Sequence, residues 1–127
     1  MTTIHFYALE NFSAAIDLEM LPTLPLVKIR KLLKLMLSEP DRNAEAITIT
    51  EAWLGAEVAK AKDVWTEASK DYQNNYRATY PDGSAIPEAR QKIINQPLIS
   101  AVKKAKANFE RTQKMQFIFQ EIKNKEK

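Results

Sequence analysis

Two heptad strips, separated by a Pro81-Asp82-Gly83 turn, limit what this chain can fold into more than any other feature. Leu54, Val58, Ala61, Trp65, Ala68, Tyr72 and Asn75 recur at alternating spacings of 4 and 3, and Thr79 continues the series. Beyond the turn, Ile94, Leu98, Ala101, Ala105, Asn108, Thr112, Met115, Phe119 and Ile122 repeat the alternation. Such a repeat keeps one apolar stripe of a helix against a neighbour along its whole length. The pattern predicts a mainly α fold, a long antiparallel hairpin of helices over about 50–80 and 86–125, in a single domain of residues 1–127.

The hairpin has legible ends. Thr48 or Thr50, with Glu51 in the first turn, suits a helix start. Tyr80-Pro81-Asp82-Gly83-Ser84 has strong turn chemistry, and Ser84 or Ile86 followed by Pro87 and Glu88 restarts a helix. Pro97 acts either as a kink or as the first turn of a segment capped by Asn95. Gly55, inside the first strip, suggests close approach of a neighbouring element. Antiparallel pairing sets Met115, Phe119 and Ile122 beside Trp53, Leu54 and Val58 as the core at the hairpin base. Phe117 and Ile118 then face a helix of the N-terminal half.

Residues 1–49 read as a small helical segment packed on that base. Phe12, Ala15, Ile16, Glu19 and Met20 have helical spacing, with Asn11 or Ser13 as cap. Pro22 and Pro25 interrupt, and Pro25 can serve as the first residue of a helix to Ser38. In that helix Ile29, Leu32, Leu33, Met36 and Leu37 share one face opposite Lys28, Lys31 and Lys34. Glu39 to Asn43 forms a turn. Thr2–Tyr7 and Ala46–Thr50 are β-branched or alternate with period two, so they form the candidate strands of a short ribbon.

The composition excludes several function classes. Absence of cysteine removes disulfides, thiolate nucleophiles and Cys-based zinc sites. Only Gly55 and Gly83 are present, too few for phosphate-cradling loops. The first residues lack the basic and apolar regions of a secretory signal, and no apolar run approaches the ~18 residues of a membrane span, so a soluble cytoplasmic protein is the expectation.

Few residues point to chemistry. His5 is the only histidine and has no second ligand nearby in sequence. Asp63, Glu67 and Asp71 stand at helical spacing among Lys60, Lys62 and Lys70, as on a solvated face. No metal, cofactor, small-molecule substrate or catalytic residue is indicated, and the chain reads as a non-enzyme. Tyr72, Tyr76 and Tyr80, with Arg77 and Arg90, lie near the hairpin tip, where little protein is left to cover them. They are the candidate contacts for a protein partner or a second copy.

The net charge of +3 conceals an asymmetry: residues 81–127 carry ten Lys/Arg against five Asp/Glu. Lys103, Lys104, Lys106, Arg111 and Lys114 could therefore follow a phosphate backbone, with further cations out to Lys127. Two functional readings result. The first is a helical interaction module acting as a subunit, chaperone-like accessory or inhibitor in a larger assembly; the second is a nucleic-acid-binding accessory.

Overall fold

The computed structural model describes residues 2–8 and 12–125. In chain order these form β1 (Thr3–Ala8), β2 (Phe12–Asp17), a 3-10 helix (Leu18–Thr23), α1 (Leu26–Leu37), α2 (Ala44–Asn75), α3 (Glu88–Ile94) and α4 (Gln96–Lys125). The expected mainly helical architecture, with two long helices and a two-stranded ribbon, is what the chain adopts. It falls into two compact units, residues 1–58 with 111–127, and residues 59–110; α2 and α4 contribute to both.

In the first unit, β1 and β2 pair antiparallel from Thr3 opposite Asp17 to Ala8 opposite Phe12. Side chains of β1 alternate, with Ile4, Phe6 and Ala8 buried and Thr3, His5 and Tyr7 exposed. This corrects two expectations. The segment after residue 11 is a strand rather than a helix, and the partner of β1 is β2 rather than Ala46–Thr50. Phe12, Ala15 and Ile16 fit either period, and non-local pairing with β1 decides between them. The proposed Asn11 cap lies outside the described residues.

Ala46–Thr50 is helical because its threonines satisfy themselves locally. The hydroxyls of Thr48 and Thr50 donate to the carbonyls of Ala44 (2.9 Å) and Ala46 (2.8 Å), one turn back. Helix α2 therefore starts at Ala44, before either threonine could cap it. It also stops at Asn75, so Thr79 belongs to the tip, in a bridge to Ala85.

Pro22 does not break the chain but sits inside the 3-10 helix, which Asp17 caps by accepting from Glu19 N–H at 3.1 Å. With no N–H on either proline, carbonyls here lack backbone partners. The Arg111 guanidinium supplies donors, to Pro22 O at 3.0 Å and to Leu24 O. Pro25 is the N-cap of α1, its carbonyl accepting from Lys28 and Ile29. Ile29, Leu33, Met36 and Leu37 then form the buried stripe.

These side chains join Phe6, Leu18, Leu21, Ile47, Leu54, Met115, Ile118, Phe119 and Ile122 in one apolar core, with Trp53 packed against it. The Glu51 carboxylate of α2 accepts from Gln120 (3.0 Å) and Lys123 (2.8 Å) of α4. Arg30 of α1 pairs with Glu121 at 3.5 Å, so α1 runs beside α4 in the same direction: residues 22–24 meet Arg111 and residue 30 meets residue 121.

Gly55 does not mark the close approach expected of it. A Cβ built there would meet only Gln116 Nε2, at 3.9 Å, an ordinary contact. Gly55→Ala is therefore expected to stabilise the protein by about 0.5–1 kcal/mol through helix propensity, seen as a raised urea midpoint at unchanged m value.

One polar residue ties the ribbon to the helices. Asn43, in the turn between α1 and α2, is buried. Its Oδ1 accepts from Tyr7 N–H at 2.6 Å, and its Nδ2 donates to Tyr7 O and Met36 O, both at 2.8 Å. The Leu18 N–H bond to Thr2 O sets the ladder phase, which turns the backbone polar groups of Tyr7 away from β2. The Asn43 amide takes the place of a third strand at that point.

In the second unit, Trp65 of α2 packs on Phe109 of α4, ring centroids 5.4 Å apart, and Ala61, Ile86 and Ala105 are buried. Ala101 and Asn108, both assigned to the seam, are exposed, and Phe109 takes that contact instead. At the α3–α4 junction Asn95 repeats the device of Asn43. Its Oδ1 accepts from Arg77 N–H (2.9 Å), while its Nδ2 donates to Arg77 O (2.9 Å) and Gln91 O (2.8 Å). Asn95 thus ties the helix junction to the strand-like tip rather than capping α4, and Pro97 falls in the first turn of α4.

Candidate partner-docking surfaces

The tip residues expected to contact a partner all fall in the second unit, and most are used in its own structure. The Tyr72 and Tyr76 rings pack with centroids 5.1 Å apart and planes tilted by 48°, and the Tyr76 hydroxyl donates to Gln91 Oε1 at 3.0 Å. Gln91 Nε2 in turn donates to Ile86 O at 2.8 Å. Tyr80 N–H donates to Ser84 O (2.8 Å), and Gly83 takes a positive φ of 89°, the conformation a glycine tolerates without strain. All three tyrosines are half-buried, leaving Arg77 and Arg90 exposed. Ile93, one turn after Arg90, is 75% exposed.

The tip turn is held by a carboxylate. Asp82 Oδ1 accepts from the Ser84 hydroxyl (2.6 Å) and the Ser84 N–H (3.0 Å), and these bonds hold its pKa below the usual value. A depressed carboxylate favours the folded turn above its ordinary pKa, and that contribution is lost as pH falls through the folded value. In Ser84→Ala, the Asp82 pKa followed by NMR is expected to rise toward the ordinary carboxylate range, and the turn's stability becomes less sensitive to acid.

The other candidates stand apart from one another. His5 shares a shallow cleft of about 190 Å³ with Thr3, Ile4, Glu45, Ala46 and Ile49. Among the described residues no three His, Cys, Asp or Glu side chains gather as metal ligands. Asp17 and Glu19 perturb each other: Asp17 holds Glu19 at about 2, helped by Thr2 N–H, while the Asp17 pKa is raised through the same hydrogen bond. Glu19 is exposed. Glu67 pairs with Lys70 at 4.0 Å, as on a solvated helix face.

The basic candidates divide. Lys103, Lys104 and Lys106 are exposed in the second unit. Arg111 and Lys114 belong to the first, where Arg111 is engaged with the carbonyls of Pro22 and Leu24 and is half-buried. Lys127 lies outside the described residues. No helix of the described chain is long and apolar enough to cross a membrane.

The residue that departs furthest from expectation is Phe117. Ile118 packs inward as anticipated, at 7% exposure, but Phe117 is 68% exposed. At 3.6 residues per turn it lies about 200° from both Met115 and Phe119, so the inward stripe carries it outward. Beside it Val27 of α1 is 66% exposed. Together with Leu26, Arg30, Lys114 and Ile118 they line an open cleft of about 360 Å³ between α1 and α4 of the first unit.

Comparison with known protein families, with curated proteins and with solved structures returned no match to this chain.

Proposed function

We propose that the chain is a non-enzymatic helical docking module that serves as a subunit, accessory or inhibitor within a larger assembly, and that it seats its partner in the Val27–Phe117 cleft. The observation that carries this reading is the exposure of Phe117 and Val27 side by side, 68% and 66%, in one cleft beside the buried core. Large apolar side chains clustered in a cleft with a polar rim are characteristic of interaction sites, whereas one scattered on a surface needs no explanation. The half-buried tip tyrosines supply less free apolar surface, which moves the proposed contact from the tip to the cleft.

Affinity purification from the source cells, comparing the wild type with Phe117→Glu and Ile93→Glu, tests this. The Phe117→Glu protein should keep its unfolding midpoint within about 0.5 kcal/mol, since the side chain is exposed, yet lose its co-purifying partner. Ile93→Glu, on the second unit, should retain it. Recovery of the same partner by Phe117→Glu would overturn the assignment of the cleft.

A further inference from the structure

We infer that the occupant of the cleft is an acidic amphipathic helix of a partner protein; this rests on the reading of the cleft as the partner's seat. Three features of the cleft choose the chemistry.

The first is charge. Helix α1 carries Lys28, Arg30, Lys31 and Lys34 and no carboxylate. Across the cleft, Lys114 is the only charged residue of α4 between Gln113 and Gln120, and it has no acidic partner among the described residues. The flanking carboxylates of α4 are Glu110, one turn before Lys114, and Glu121, which lies 3.5 Å from Arg30 and 3.4 Å from Lys125; neither lines the cleft. Among the described residues the charged side chains that line the cleft are Arg30 and Lys114, with no carboxylate, so an arriving surface meets apolar side chains between two cations, and the complement is an apolar ridge flanked by carboxylates.

The second is shape. Val27, Arg30, Lys31 and Lys34 follow one another at helical spacing along the outer side of α1. That helix has 12 residues, a track of about 18 Å. A second cleft is lined by Lys31, Lys34 and Leu35 of the same helix and by Ser38 at its end. A helix of about three turns matches this length and presents an apolar residue every third or fourth position.

The third feature argues against a second copy. A two-fold interface would set this same patch against itself, bringing the cations of α1 and Lys114 toward their own images. Like charges across an interface oppose association.

The test uses the whole chain and a display library of random 16-residue peptides, selected on the wild type and counter-selected on Phe117→Glu. Circular dichroism first verifies that this variant is folded. Peptides that bind only the intact cleft should be rich in Asp and Glu, with apolar residues spaced i, i+3 or i+4, and i+7. Synthesised singly, such a peptide should bind on the order of thirtyfold more weakly to Phe117→Ala. It should bind about fivefold more weakly to Lys114→Glu at low salt, and added salt should remove that second difference.

Cleft-dependent peptides that are neutral or basic would overturn the acidic helix and leave the docking reading standing. No cleft-dependent peptide at all, with an unchanged partner in the affinity comparison, would overturn both. Phe117-dependent binding to phosphatidylserine vesicles that the peptides do not displace would assign the face to lipid instead. A wild-type dimer by light scattering that Phe117→Glu converts to monomer would assign it to a second copy.

Discussion

Asn43→Ala should be among the most damaging single substitutions in the chain, lowering stability by about 3 kcal/mol. The side chain makes three hydrogen bonds, at 2.6, 2.8 and 2.8 Å, and it is buried. Truncation leaves Tyr7 N–H, Tyr7 O and Met36 O without these partners, and an unsatisfied buried polar group costs about 1–3 kcal/mol. The sum is held down because the Tyr7 side of the network is only part-buried and water can reach it. For a domain of this size the change corresponds to a fall in Tm of about 10–20 °C. Asn43→Asp, nearly the same shape, keeps the acceptor from Tyr7 N–H but presents oxygen to two carbonyls, and should be no better. Thermal unfolding of both variants checks the point; a Tm within a few degrees of wild type would mean that Asn43 fills the turn without fastening the ribbon.

The second large effect concerns Asn95, where the outcome should be local. Asn95→Ala removes bonds of 2.9, 2.9 and 2.8 Å that fasten the α3–α4 junction to Arg77. The expected loss is again about 2–3 kcal/mol. The second unit is compact in its own right and buries few large side chains, Ile86 among them. Opening there need not involve the core around Phe119, which belongs to the first unit. Amide exchange should accelerate across residues 76–95 while the amides of α1 stay protected. Uniform acceleration through both units would show that they unfold together.

These two asparagines show where sequence reasoning stopped. An Asn in a turn is ordinarily read as bonding to its own backbone. Nothing local marks one that reaches residue 7 from residue 43, or residue 77 from residue 95. The helical parts were legible because heptad and amphipathic spacing is a property of consecutive residues, as in Ile29, Leu33, Met36 and Leu37 of α1. Strand β2 was not, since Phe12 to Asp17 suits either period until β1 is beside it. The start of α2 was missed because Thr48 and Thr50 carry β-branched side chains whose hydroxyls the helix itself satisfies. The exposure of Phe117 was hidden for a related reason. Phe117 and Ile118 both read as facing a helix of the N-terminal half, but only Ile118 is covered, since helical geometry turns Phe117 away from the stripe that Met115, Phe119 and Ile122 define.

Docking in the cleft requires Phe117 to meet another protein. Replacing it by the photo-crosslinking residue p-benzoylphenylalanine and irradiating the source cells tests that contact directly, because the probe replaces the ring at the exposed position. One discrete adduct heavier than the 14.5 kDa chain is expected, absent when the probe stands at the exposed Gln73 and lost when Val27→Glu is added. No adduct at position 117, or the same adducts from positions 117 and 73, would contradict it.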